Sequence, residues 1–417
     1  MYLQKASIMI DKTHFKREYI KRPVYTERIK PFLGKDIIKI LVGQRRVGKS
    51  YIMYQLMDYI ENTFPDSHII YINRELKPHE FIQTDDDLYQ YAHSNLQEGK
   101  KNFLFIDEVQ EIQRFEYALR SLLAEGVCDI TCTGSNASML SGELATHLAG
   151  RYIEFPIHSL GYEEFLRFFN LDDNNQSLYK YLTIGGMPYL RVIGTEEAYA
   201  FEYLRNVYST ILLKDVVARE NIRNVSFLND LVEYLADNIG NLFSASNISK
   251  YLKSQRTTVS TQTVLNYLNP LLNAFFIHKV SRLDINGLKI FEIGDKYYFE
   301  DLGLRNVIRG CDLNKDIQKL LENAVYLHLL CSGYDVKVGQ QGNYEIDFVG
   351  IKNGSRIYIQ VAYLILDEKT REREFGNLMN IPDHYPKYVI SMDEFNAGTN
   401  DKGIKQLHVR DFLKMEI

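Results

Sequence analysis

The stretch Ile37-Ile38-Lys39-Ile40-Leu41-Val42-Gly43-Gln44-Arg45-Arg46-Val47-Gly48-Lys49-Ser50-Tyr51 joins an apolar, β-branched run to a glycine-bounded turn and then to the helical pattern of Tyr51 to Glu61. Residues 43–50 satisfy G-x-x-x-x-G-K-[ST], and a strand before and a helix after are the context that this motif needs. The glycines let backbone N–H groups turn inward on phosphate oxygens. Lys49 neutralises charge on the β and γ oxygens, Ser50 can ligate Mg²⁺, and the helix N-terminus adds its dipole. The candidate nucleotide contacts are therefore Gly43, Gln44, Arg45, Arg46, Val47, Gly48, Lys49, Ser50 and Tyr51.

Working outward, apolar runs recur at Ile37 to Gly43, His68 to Asn73, Asn102 to Asp107, Asp129 to Gly134 and Arg151 to Ile157, separated by longer amphipathic stretches. Near-continuous apolar strands alternating with helices predict a parallel sheet covered on both faces, an α/β fold. The third run ends in Asp107-Glu108. Asp107 is the candidate to hold Mg²⁺ through its water shell, and Glu108 to orient and deprotonate an attacking water. After the fourth run comes Asn136, either a polar group between a γ-phosphate and that water or part of an ordinary turn. Arg151 opens the fifth, as an arginine finger reaching a neighbouring subunit's nucleotide or as a surface salt bridge.

Four groups of residues carry a family resemblance: the loop G-x-R-R-x-G-K-S, "IDEVQ" at Ile106 to Gln110, "TGSNAS" at Thr133 to Ser138 and "GRYIEFPIHSLGYEEFL" at Gly150 to Leu166. With "YLTIGGMPYL" at Tyr181 to Leu190 and "LLKDVVAREN" at Leu212 to Asn221, they resemble the AAA+ ATPases of bacteria and archaea that carry a C-terminal domain of unknown function, an additional-strand P-loop class. The resemblance runs from about Arg22 to about Asp393. It implies ATP and Mg²⁺ as ligands, a P-loop AAA+ parallel sheet with a helical lid, and assembly into a homo-oligomeric ring.

Length and composition agree. At 417 residues, 45% hydrophobic and 25% charged, the chain has room for about three domains and is neither disordered nor collagenous. No stretch reaches the roughly 20 apolar residues of a membrane span, and Met1 to Lys30 lacks the apolar core of a leader, so no membrane association and a cytoplasmic location are expected. Cys128, Cys132, Cys311 and Cys331 form no C-x-x-C pair and fit reduced, packed thiols. A net charge of −5 excludes a chain that is basic throughout, while leaving room for a local basic face.

The expected domains are an ATPase core over 1–159, a helical lid over 160–223, a winged helix over 224–310 and an α/β nuclease-like domain over 311–417. In the lid, Asp215 and Arg219 are spaced for an i,i+4 pair, with sensing of a neighbouring subunit's nucleotide as the alternative. In 224–310 three helical patterns precede two β runs, Phe276 to Ser281 and Lys289 to Ile293, with a turn at Asp284 to Gly287. Between Ala245 and Ile290 six basic residues (Lys250, Lys253, Arg256, Lys279, Arg282, Lys289) stand against the single acid Asp284, a local excess of +5. Gln262 and Asn266 can meet base edges and Lys253 and Arg256 phosphates, which makes DNA the expected partner; contact with a protein partner is the alternative.

The last third reads as helix, three strands, helix, strand, an order that resembles the PD-(D/E)XK nuclease fold. That resemblance implies that an acid on the first helix, an Asp on a strand and (E/Q)-x-K on the next together bind one or two Mg²⁺ and activate water, the lysine stabilising the attacking hydroxide. Glu322, Asp347 and Gln360 match the first three, and the lysine position is Ala362. The expectation is a degenerate site that binds without cutting, with an ATP-coupled DNA nuclease as the alternative. Lys387 is a possible substitute cation, and Glu345 either a further ligand or a solvated residue.

Overall fold

The computed structural model describes residues 19–137, 148, 150–220, 222–254, 259–287, 294–342, 344–394 and 398–417. These fall into two compact units. One consists of the described residues of Met1–Leu41, Gly48–Thr133 and Glu143–Phe155, the other of those of Val42–Val47, Gly134–Gly142 and Pro156–Ile417.

The first unit is built on a five-stranded parallel sheet. Its strands are β1 (Ile38–Val42), β2 (Ser67–Asn73), β3 (Lys101–Asp107), β4 (Asp129–Gly134) and β5 (Tyr152–Pro156), in the order β2-β3-β4-β1-β5. Strands β1 and β4 are buried along their whole length, as both-face helix cover demands. The register pairs Asn73 with Asp107 across β2 and β3, and Ile106 with Cys132 across β3 and β4. Asp107 is thereby level with Thr133 at the C-terminal edge of the sheet, where open α/β sheets bind ligands. Lys39 is a charge inside otherwise apolar β1. Its ammonium lies 2.6 Å from Asp129 Oδ1, while Asp129 Oδ2 accepts the Gly34 N–H at 2.6 Å.

The second unit begins with helices Tyr162–Phe169, Asn175–Ile184 and Glu197–Thr210, the last continuing as a π-helix over Ile211–Ala218. Gly185-Gly186 ends the second helix because Asp301 occupies the adjoining space. Gly186 N–H donates to Asp301 Oδ2 at 2.7 Å, and a Cβ on Gly185 (φ 73°) would come within 2.4 Å of Asp301 Oδ1. Three further helices follow, Val225–Asp237, Ala245–Ser254 and Thr261–Asn273. Asn224 caps the first through the Phe227 N–H, and Ser260 caps the third through the Thr263 N–H.

The β segment after these helices differs from the expected hairpin. Strand β6 (Ile277–Val280) pairs antiparallel with β8 (Lys296–Phe299), while the expected second run at 289–293 lies outside the described residues. Strand β7 (Arg282–Asp284) leads away from β6 and pairs in parallel with β9 (Asp335–Gln341), Leu283 opposite Gly339. The reason is apolar: Leu283 and Ile285 join a core with Ile346, Val349, Tyr358 and Phe375, and are buried more fully there than a solvated turn allows. The sheet of the last third thus recruits a strand from before residue 311.

That sheet has seven strands in the order β13-β14-β12-β11-β10-β9-β7, with β10 (Tyr344–Lys352), β11 (Ser355–Val361), β12 (Lys387–Ser391), β13 (Gly398–Thr399) and β14 (Lys405–His408). Helix Leu313–Cys331 precedes β9 and helix Glu368–Met379 precedes β12, the element order expected. No disulfide joins the cysteines, and no helix among the described residues is long and apolar enough to cross a membrane.

Candidate functional site

The turn after β1 is shaped by its glycines. Gly43 has φ 152°, and a Cβ there would sit 2.1 Å from the carbonyl oxygen of Ile157, whose own N–H donates to Val42 O at 2.7 Å. Side chains are excluded at that position whatever their chemistry. Gly48 (φ 97°) closes the turn as the residue before helix Lys49–Thr63, and its carbonyl accepts from the N–H groups of Tyr51 and Ile52. Arg46 also has positive φ, 75°, which is uncommon outside glycine. Lys49 is buried at the helix start, Ser50 half-buried and Tyr51 exposed.

In the first unit the strand ends build a hydroxyl–carboxylate network. Thr133 Oγ1 donates to Asp107 Oδ1 at 2.6 Å and accepts the Glu108 N–H at 2.9 Å. Tyr71 OH donates to Asp107 Oδ2 at 3.3 Å. Burial pushes the Asp107 carboxyl up, and hydrogen bonds from Thr133 and Ser50 together with the Lys49 charge oppose that rise. The Ser50 hydroxyl and the Asp107 carboxylate are therefore adjacent oxygens, a donor pair suited to Mg²⁺. Glu108 stands in the left-handed region (φ 58°, ψ 52°), where a non-glycine residue carries roughly 1–3 kcal/mol of strain. Its carboxylate accepts from the Gln110 side-chain amide. Thr133 is absent from the sequence-derived candidates; the available signal was its place next to the end of β4, the strand run that neighbours β3.

Elsewhere, Asn136 is buried and Arg151 exposed. Asp215 does not serve the helical pair expected with Arg219. Its two oxygens take Nε of Arg45 at 2.9 Å and Nη2 at 3.1 Å, with side-chain exposures of 2% for Asp215 and 7% for Arg45. This joins the glycine-bounded turn to the π-helix, a geometry often found at functional sites. Arg45 and Arg46, with Tyr189 and Tyr203, also line a cavity of about 250 Å³.

The DNA candidates are partly engaged within the chain. Gln262 and Asn266 are exposed one turn apart, with Gln262 Nε2 donating to Asn266 Oδ1 at 2.9 Å, and Lys253 is exposed; Arg256 lies outside the described residues. Lys279 pairs with Asp295 at 3.1 Å, which offsets one of the local positive charges, and Arg282 donates to the neutral amide of Gln340 at 2.8 Å; Lys289 lies outside the described residues.

In the last third, Glu322, Asp347 and Gln360 do come together. Asp347 Oδ2 accepts the Val361 N–H at 2.9 Å, and Gln360 Oε1 accepts the Asp347 N–H at 3.4 Å. Lys387 is not their cation, because it pairs with Asp383 at 3.5 Å. Lys296 on β8, which sequence reasoning missed, places its ammonium 2.9 Å from Glu322, 2.9 Å from Glu345 and 3.4 Å from Asp347. Burial works against the charge on this lysine, and the three carboxylates outweigh it and hold the proton on. Tyr298 OH donates to Glu322 at 2.6 Å.

Comparison with known proteins places this geometry. Residues 35–166 match the AAA domain family, and residues 175–315 match a domain of unknown function, DUF8612. An uncharacterized protein of Haemophilus influenzae is 34% identical over 400 residues, covering 94% of this chain and 98% of its own length. An uncharacterized protein of Methanocaldococcus jannaschii is 30% identical over 444 residues, covering 98% and 94%. The chain belongs to the family of these full-length relatives, and its first part is an AAA domain with the P-loop fold. Among solved structures, the Aeropyrum pernix ORC1 protein in complex with DNA is 11% identical (TM-score 0.31, covering 72% of this chain and 94% of that one). AMPPCP-bound DnaA from Aquifex aeolicus is 14% identical (TM-score 0.30, 61% and 89%). Likeness at that level carries no argument about function.

Proposed function

We propose that the protein is a Mg²⁺-dependent ATP hydrolase of AAA+ type that works on DNA in the cytoplasm as a homo-oligomeric ring. The observation that carries this reading is the network at the strand ends, in which Thr133 binds both Asp107 and the backbone of Glu108 beside Ser50. The turn from Gly43 to Tyr51 would hold the triphosphate, with Lys49 on the β and γ oxygens. Ser50 and Asp107 would hold Mg²⁺, which when bound withdraws charge from the phosphate oxygens. Glu108 takes the proton of the attacking water and orients it, its backbone fixed by Thr133. Asn136 would orient the water or γ-phosphate, and the exposed Arg151 would serve a neighbouring subunit's nucleotide. The division into 1–159, 160–223, 224–310 and 311–417 is our working assignment of modules, with β7 shared across the last boundary. Lys253, Gln262 and Asn266 would face DNA.

A second reading is an ATP-driven switch that engages a protein partner. The pairing of Lys279 with Asp295 favours it, because it leaves one cation fewer for phosphates. Phosphate release with Mg²⁺ and ATP, alone and with single-stranded, duplex and branched DNA, separates the two. Salt-sensitive stimulation by DNA is expected from the first reading. Intact basal turnover without response to any DNA would select the switch. Turnover in Lys49→Ala equal to wild type would sink both.

A further inference from the structure

The nuclease-like resemblance of the last third calls for a divalent metal at Glu322 and Asp347, and the side chains present do not fit one. The point on which these carboxylates converge is already taken by a cation of the chain itself. Lys296 Nζ has three protons and three acceptors: Glu322 Oε1 at 2.9 Å, Glu345 Oε1 at 2.9 Å and Asp347 Oδ1 at 3.4 Å. Further donors hold the same carboxylates, Tyr298 OH on Glu322 Oε1 and the Val361 N–H on Asp347 Oδ2. The wall beside Glu322 is backbone, since a Cβ at Gly240 would come within 2.8 Å of its Oε1. A Mg²⁺ ion at roughly 2.1 Å from these oxygens would overlap the ammonium group. Lys296 would have to leave, but its side chain is 2% exposed and its strand β8 is buried throughout.

We infer that Lys296 is a built-in counter-ion that fills the carboxylate cage of Glu322, Glu345 and Asp347 and closes it to divalent metal. The consequence is structural as well as chemical. The lysine belongs to the β6–β8 pair, while its acceptors belong to helix Leu313–Cys331 and strand β10, so the ammonium staples the two segments where a nuclease would hold its metal. A site of this kind lacks the ion that would activate water, and the last third acts by binding. The inference does not depend on the ATPase reading.

The test is Mn²⁺ binding by the full chain without nucleotide, read by electron paramagnetic resonance. Wild type is expected to hold no Mn²⁺ that Asp347→Asn removes. Lys296→Met is expected to gain one site, about tenfold or more tighter than any such binding in wild type, and to lose it again when Asp347→Asn is added. Binding that survives Asp347→Asn in wild type lies elsewhere in the chain and agrees with a closed cage. Wild-type binding abolished by Asp347→Asn overturns the inference. Should Lys296→Met fail to fold, reductive methylation of wild type decides: Lys296 is expected to react about tenfold or more slowly than exposed Lys253, with or without Mg²⁺. Acceleration at Lys296 on adding Mg²⁺ would show that metal displaces it.

Discussion

Replacing Asp215 by Ala removes one half of a bidentate ion pair almost wholly shielded from water. The bonds lost are those at 2.9 and 3.1 Å to the guanidinium of Arg45, whose side chain is only 7% exposed. Breaking a buried pair from one side costs about 3–5 kcal/mol, because the remaining charge stays desolvated. Against a typical stability of roughly 5–15 kcal/mol this is a large fraction. Arg45 keeps other interactions, which puts the expectation at the lower end, about 3 kcal/mol. For a unit of this size each kcal/mol lowers Tm by roughly 2–4 °C, giving a fall of roughly 6–12 °C. The sequence has no Trp, so calorimetry or tyrosine near-ultraviolet circular dichroism is the suitable assay. Arg45→Met combined with Asp215→Leu should recover part of the loss, since it removes both charges and keeps the volume. A loss below about 1 kcal/mol for Asp215→Ala would refute the reasoning, placing the pair in the class of exposed bridges.

Thr133→Val keeps the shape of the strand end and removes the hydroxyl that binds Asp107 and the Glu108 N–H. Turnover should fall roughly ten- to a hundredfold with nucleotide binding retained, and wild-type kcat would contradict the network's role. Glu108→Gln should bind ATP and hydrolyse it poorly; rapid phosphate release would assign the water to another residue. Acid stability should depend on Glu300. Burial pushes this carboxyl up, and His158 at 3.0 Å and His278 at 2.6 Å outweigh that, bringing it to about 2 from its ordinary 4.5. A lowered carboxylate contributes stability above its unfolded value and loses it as pH falls through the folded one. Some 3 kcal/mol should thus disappear between about pH 4.5 and 2 in wild type, and much less in Glu300→Gln, as followed by Tm against pH.

The legible parts were those whose information is local. The phosphate-binding turn is contiguous, its conformation set by glycines at 43 and 48, and the central strands β1, β3 and β4 announce themselves as runs of apolar residues because both their faces are covered. The carboxylate pair after β3 and the helix–strand order of the last third followed from the same short-range patterning. The resemblance of that order to the PD-(D/E)XK fold picked out Glu322, Asp347 and Gln360 as a group.

What escaped depends on which surfaces meet. Thr133 finds Asp107 only through the register of β3 and β4. Asp215 chooses Arg45, 170 positions away, over the neighbour one helical turn on. Strand β7 leaves its expected turn because Leu283 and Ile285 find a larger apolar core beside β9. The cation at the carboxylates comes from Lys296 rather than from Lys387 or position 362, since among the described residues it is β8 that directs an ammonium group into that space. The sequence by itself determined the segments and the phosphate-binding turn, through spacing and backbone geometry that neighbours along the chain impose on one another. Tertiary structure decided which charges neutralise which, because desolvation makes a buried charge take the acceptors that packing brings within reach, however distant in sequence.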